Sequence, residues 1–257
     1  MRLQDKVVVV TGSTSGIGEA IARRCVAEGA RVLVHGLERD LGEAVAGSLG
    51  EAAALHVDDL ADPEAAARVV RAALLAFGKI DALVNNAGRV ERGTIETTDA
   101  AAFDRVMAVN ARAPLLLIRA ALPELARARG AVLNVGSVNA YCGEPTFVAY
   151  SASKGALMTL TRNLGDTLHR EHGVRVNQIN PDWVLTDGEK RVQARQGNPK
   201  DWYEKIPRVF APSGRLILPE EIASAAVYWI GDESRPMSGS VVELSQFPTI
   251  GRNLPRV

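Results

Sequence analysis

Cysteine is almost missing from this chain: Cys25 and Cys142 are the only two in 257 residues. That is too few for a disulfide framework in a chain of this size, so both are read as thiols. Excess charge is missing too. Lysine plus arginine and aspartate plus glutamate each total 30, giving zero formal charge, which excludes a polyanion-binding face and argues against nucleic acid as a partner. The opening "MRLQDKVVVVTG" carries no apolar leader, and no later run reaches the apolar length that spans a bilayer. The expectation is a cytoplasmic protein with no membrane partner. Histidine is sparse; His169 and His172 lie three apart on one helix, but sequence places no third ligand, and no metal site is expected.

Valine-rich runs alternate with longer segments of helical period, the pattern of strand-helix units around a buried parallel sheet. Candidate strands are 6–12, 31–36, 53–57, 81–88, 131–137, 174–180 and 240–245. They predict an α/β fold, a doubly wound seven-stranded sheet of Rossmann type with helices on both faces, in a single domain over 1–257. Amphipathic stretches at 18–29 and 63–78 each close on a glycine suited to a helix C-terminus. The stretch 186–215 breaks the rhythm. Its Trp202, Tyr203, Pro199, Pro207 and Pro212 among many charges predict an irregular or short-helical insertion over a site.

"TGSTSGIG" (11–18) follows the first strand and opens the first helix. Glycine lets backbone turn tightly and come close to a ligand, while a helix N-terminus offers free N–H groups and a positive dipole end to a pyrophosphate. Gly12, Gly16 and Gly18 are spaced by three residues and then one, unlike the commoner G-x-G-x-x-G order.

"YSASK" (150–154) sets a phenol and an ammonium one helical turn apart on one face. A phenol titrating near pH ~10 is a poor base at neutrality. An adjacent cation favours phenolate, and an oxidised nicotinamide would add a second positive charge. The expectation is therefore that the Lys154 ammonium lies beneath the Tyr150 oxygen and lowers its pKa. Ser137 ends the strand 131–137 and is placed to bring a second hydroxyl to the same sheet edge, where doubly wound folds bind ligands.

Taken together, "TGSTSGIG", "NNAG" (85–88), Asn110, Ser137 and "YSASK" resemble, in order and spacing, the short-chain dehydrogenase/reductase family, in its branch of about 250 residues. The resemblance covers nearly the whole chain. It implies reversible hydride transfer between a nicotinamide cofactor and a secondary alcohol or ketone. Tyr150 would be the acid/base and Ser137 would steady the substrate oxygen. Lys154 would also bind the nicotinamide ribose, and Asn110 would hold a water joining Lys154 to solvent. Gly12, Ser15, Gly16, Ile17 and Gly18 would cradle the pyrophosphate, Asn86, Ala87 and Gly88 would flank the adenine side, Asp59 would approach the adenine amino group, and Pro181 and Thr186 would lie at the nicotinamide. At the end of the second strand Gly36 stands where NAD-preferring relatives carry aspartate, and Arg39 is near enough in sequence to meet a 2′-phosphate. NADP is favoured over NAD, with Glu38 as the alternative ribose ligand.

The chain departs from its relatives at "NPDWVLTD" (180–187), where Asp182 replaces a glycine. Asn139, Tyr141, Glu144, Asp182 and Trp183 mix hydrogen-bonding and stacking groups, which suits a compact polar substrate such as a sugar, sugar acid or polyol. The alternatives are a 3-oxoacyl-type reductase with an apolar substrate and a catalytically silent nucleotide-binding scaffold or redox sensor. The tail 246–257 replaces the family's usual glycine pair. With Phe247, Ile250 and Leu254, it is expected to pack on its own domain or on a neighbouring subunit of a homo-oligomer, a tetramer or a dimer.

Overall fold

The computed structural model describes residues 1–252; Leu254 and the rest of the predicted tail beyond 252 lie outside the described residues. All seven predicted strands form: β1 Val7–Val10, β2 Arg31–Gly36, β3 Ala53–Val57, β4 Ala82–Asn85, β5 Ala131–Val135, β6 Arg175–Pro181 and β7 Val241–Leu244; β2 and β3 keep the expected bounds, β6 lies one residue later and the other four are shorter. They make one sheet of order β3-β2-β1-β4-β5-β6-β7, parallel at every pairing.

The valine runs explain the layering. Successive side chains of a strand face opposite ways, so Val8 and Val10 enter the core beneath helices α1 (Gly16–Ala27) and α8 (Pro219–Ile230), whereas Val9 enters the core beneath α3 (Ala65–Phe77) and α5 (Ala113–Ala128). All four valines of β1 are buried. At about 1.5–3 kcal/mol for each fully buried aliphatic side chain, such central strands supply much of the drive to fold.

The helix expected at 18–29 runs from Gly16 to Ala27, and that at 63–78 from Ala65 to Phe77, closed by Gly78 in the left-handed conformation. The remaining helices are α2 (Arg39–Leu49), α4 (Ala100–Met107), α6 (Val148–His172) and α7 (Asp187–Arg195). α4 and α5 are continuous through a π-turn at Ala108–Arg112. The resulting 29-residue helix is long and apolar enough, by length and composition, to cross a membrane, which corrects the expectation that no segment reaches that length. Its buried Ala113, Leu117, Ile118 and Ala121 instead pack on α3 and the sheet. The insertion 186–215 holds α7 and a short 3-10 turn at Trp202–Lys205, as its composition suggested.

The strand order reverses between β1 and β4, and the loops leaving these strands diverge to opposite faces, opening a cleft at their carboxyl ends. Hydrogen bonds tie the two loops together. The Thr11 hydroxyl accepts the N–H groups of Asn86 and Ala87, both at 3.1 Å, and the Asn86 amide donates to the carbonyls of Thr11 and Gly12, both at 2.9 Å.

Candidate active site

The cleft is about 500 Å3 and is lined by Gly12, Ser15, Gly16, Ile17, Gly18, Asp59, Asn86, Ala87, Gly88 and Thr186 among others. Backbone geometry fits it to a dinucleotide. Gly12 has φ +62° and Gly16 φ +59°, a region that favours glycine. A Cβ at Gly18 would lie 2.1 Å from the Gly12 carbonyl oxygen, so no side chain fits between loop and helix. Ser15 precedes α1 with an extended backbone and makes no side-chain cap bond, which leaves its hydroxyl and the first N–H groups of α1 facing the cleft.

At the far end of the cleft, Asp58 and Asp59 divide their work. Asp58 takes two bonds from Arg68, at 2.7 and 2.8 Å, and lies near His56; the Arg68 guanidinium chiefly holds its carboxyl down to about 2. Asp59 is exposed on the cleft and accepts only the Ala61 N–H, at 2.9 Å. It is the carboxylate of the pair left for a ligand. Asp62 accepts the Glu64 N–H at 3.0 Å in the turn leading into α3.

Arg39 is not brought to the cleft. As the first residue of α2 it turns along its own helix toward Glu43, at 3.7 Å, with its side chain 67% exposed. Glu38 lines the cleft in its stead, steadied by the Thr14 hydroxyl at 3.1 Å. Gly36 is required by the same threonine, since a Cβ there would meet the Thr14 methyl at 2.5 Å. His35 is a lining residue that sequence reading passed over: it is buried, stacked 6.3 Å from His56, and burial pushes its pKa down to about 4. A lone histidine inside a strand gave no signal of this.

The structure brings Ser137, Tyr150, Lys154 and Asn110 close together. Ser137 follows β5 and accepts the Asn139 N–H at 3.2 Å, which uses Asn139, nearly buried, to set its rotamer. Tyr150 and Lys154 share a face of α6. Lys154 is 4% exposed, and its ammonium donates to the Val135 carbonyl at 2.8 Å. A point one Cβ out from Gly88 lies 3.6 Å from the Lys154 Nζ and 3.7 Å from the Asn110 Oδ1, so "NNAG" and "YSASK" meet there. The side chain of Asn110, in the π-turn, is fully committed: it accepts the Arg89 N–H at 2.7 Å and donates to the Arg89 carbonyl at 3.0 Å and to Ser153 Oγ at 2.9 Å.

The expected electrostatics are reversed in the protein alone. The Lys154 Nζ lies 5.6 Å from the centre of the Tyr150 ring and donates to a backbone carbonyl. Burial raises the Tyr150 pKa; the Ser137 hydroxyl opposes that rise and Glu144 adds to it. Burial also pushes the Lys154 ammonium down to about 8. Desolvation of each group, not their mutual attraction, dominates.

The residue before Ser137 is held by a buried chain of side chains. Asn85 donates to Asn134, Asn134 to Thr161 and Thr161 to Gln178, each at 2.8 Å, and Gln178 donates to Asn180 at 2.7 Å. A Cβ at Gly136 would fall 2.0 Å from the Asn180 Oδ1, so this amide pair leaves room only for glycine before Ser137.

On the substrate side, Pro181 ends β6 beside Leu244 and is not among the residues lining the cleft. Burial raises the Asp182 pKa; the Trp183 N–H opposes this, Glu243 and Glu144 add to it, and Arg252 lowers it. Trp183 donates to Glu189 at 3.0 Å and stacks on Trp202 at 5.3 Å, joining the insertion to the end of β6. Thr186 caps α7 by accepting the Glu189 N–H at 3.0 Å, with its methyl 3.4 Å from the Cβ position of Gly16. Cys142 is exposed, whereas Cys25 is buried in α1 with its thiol pushed up to about 12. His169 and His172 sit in the last turn of α6, favourable ground for positive charge. Among the described residues no cluster of three or more metal-ligating side chains occurs.

With this geometry in place, comparison is informative. Residues 6–197 match the short chain dehydrogenase family. This chain belongs to that family. The 2-(S)-hydroxypropyl-CoM dehydrogenase 3 of Xanthobacter autotrophicus is 36% identical, over 93% of this chain and 94% of its own. Meso-2,3-butanediol dehydrogenase of Serratia marcescens is 32% identical over the full length of both chains. The NADP-dependent (R)-specific alcohol dehydrogenase of Lentilactobacillus kefiri is 31% identical, over 93% of this chain and 94% of its own. The short-chain dehydrogenase described here is an NAD(P)-dependent oxidoreductase acting on CH–OH groups.

The buried ammonium yields a stability test. A lysine whose folded pKa is depressed to about 8 destabilises the fold while charged, and the penalty fades as pH rises from there toward its unfolded value of 10.5. Lys154→Met should therefore gain in stability relative to the parent at pH 7 without dinucleotide, and the gap should narrow toward pH ~10. Urea unfolding across that range measures it.

Proposed function

We propose that this dehydrogenase interconverts a compact polar secondary alcohol and its ketone, with Tyr150 as acid/base, Ser137 orienting the substrate oxygen and Lys154 adjusting the phenol. The carrying observation is the kind of side chain on the segments flanking Tyr150: Asn139 and Glu144 before α6, and Asp182 and Trp183 just after β6. Apart from the Phe147 ring, 5.7 Å from the phenol ring, these segments offer carboxylates, an amide and an indole. Such groups suit vicinal hydroxyls, the chemistry of a sugar, sugar acid or polyol. The relatives named for butanediol and for hydroxypropyl-CoM point to small secondary alcohols as well.

A bound nicotinamide supplies the hydride acceptor or donor and, when oxidised, a positive charge. The chain's own residues do the rest. Ser15, the α1 N-terminus, Gly12 and Gly18 hold the pyrophosphate, Asp59 and Asn86 to Gly88 border the adenosine half, and Thr186 closes the other end. The buried phenol holds its proton firmly until positive charge arrives nearby, so alcohol oxidation is favoured only in the assembled site. Asn110 braces the segment after Gly88 against α6.

The placement of Glu38 moves the cofactor preference from NADP to NAD. A carboxylate lining the ribose end accepts ribose hydroxyls and repels a 2′-phosphate, while Arg39 faces Glu43. We further propose a single-domain protein of the cytoplasm, where free thiols persist, assembled as a homotetramer through the exposed apolar side chains Phe103 and Leu115 on the helix 100–128.

Tyr150→Phe is expected to lower kcat by about 10³-fold or more with dinucleotide affinity unchanged; full activity in a panel of sugars, polyols and hydroxy acids would end the assignment. Fluorescence titration should show NADH bound at least about tenfold tighter than NADPH, and Glu38→Ala should narrow that ratio. Light scattering at micromolar concentration should give a mass near four chains, and a monomer refutes the assembly.

A further inference from the structure

The penultimate residue of β7, Glu243, does its work outside the strand. Glu243 Oε1 accepts the Thr249 N–H and the Thr249 hydroxyl, each at 2.7 Å, and the Ser245 hydroxyl at 2.5 Å, which is shared with the Phe247 carbonyl. A half-buried carboxylate oxygen thus folds 245–249 into a turn. From that turn Gln246 reaches the insertion, accepting the Ser213 N–H at 3.0 Å and donating to the Arg215 carbonyl at 2.7 Å. Further on, Arg252 lies over the Phe247 ring at 3.4 Å and donates to the Val209 carbonyl. Next to Glu243, the Leu244 carbonyl accepts the Asp182 N–H at 3.1 Å, so the tail leaves the strand alongside Asp182.

Tail, insertion and substrate-side carboxylate therefore meet around one side chain. We propose that Glu243 is a specificity-determining positioning residue: by folding the C-terminal segment 245–252 against 208–215, it fixes the outer wall of the substrate pocket beside Asp182. The proposal rests on the dehydrogenase reading above and deepens it. None of the residues in this clasp lines the dinucleotide cleft, so substrate affinity and cofactor affinity should respond separately.

The experiment compares the parent with Glu243→Ala and Glu243→Gln, which keeps an acceptor oxygen. Thr249→Val, which removes one donor, stands in should the alanine variant fail to fold. Meso-2,3-butanediol within the alcohol panel is the probe, with KM, kcat, NADH affinity and amide hydrogen exchange over 208–215 and 245–252 as readouts. Glu243→Ala should raise KM about tenfold with kcat within about threefold, leave NADH affinity unchanged and speed exchange in both segments, while Glu243→Gln stays near the parent. Unchanged exchange in Glu243→Ala overturns the clasp; faster exchange with parental KM overturns its role in the pocket; joint loss of kcat and NADH affinity shows a merely structural role. No turnover of any panel alcohol by the parent overturns the dehydrogenase reading instead, and the exchange readout then decides the clasp alone.

Discussion

The rest of the site depends on an ammonium kept out of water with no carboxylate beside it. Lys154 is buried against the end of β5, its charge met by the Val135 carbonyl, and burial alone takes its pKa down to about 8. The neighbouring phenol is likewise pushed toward its neutral form. Two groups that each resist ionisation in place are primed to respond to a third charge. Burial thus disfavours charge on either group in the free protein.

That arrangement is possible because the fold brings distant segments to one point with little freedom to move. The loops after β1 and β4 are sewn together through Thr11 and Asn86, and Gly18 seals the helix onto the first of them. α6 packs on β6, with Lys154 bonded to the end of β5 and approaching Gly88 and Asn110 there.

Much of this was legible in the order of residues. The valine runs located all seven strands because a strand buried on both faces must be apolar throughout, and the glycine spacing marked the loop because only glycine fits there. Side-chain direction was less legible. Arg39 is a long side chain at a helix start, and whether it meets a ligand or Glu43 depends on the next turn of helix, not on distance along the chain. Lys154 was read as serving the phenol oxygen, but the strand carbonyl underneath it came from tertiary packing. Glu243 gave no sign, because a carboxylate in an edge strand normally reads as a solvated face.

The buried chain from Asn85 to Asn180 has a consequence for how such sequences diverge. Its members lie on three strands and a helix, each supplying a donor or acceptor that the next consumes. Exchanging one member for an aliphatic residue strands its neighbour's polar group in a dry interior, at about 1–3 kcal/mol. Viable change must therefore be concerted. Drift at Gln178 or Asn180 is locked to Gly136, so a buried network reaching from the edge of the cleft to the end of β6 can change only together with the backbone that carries Ser137.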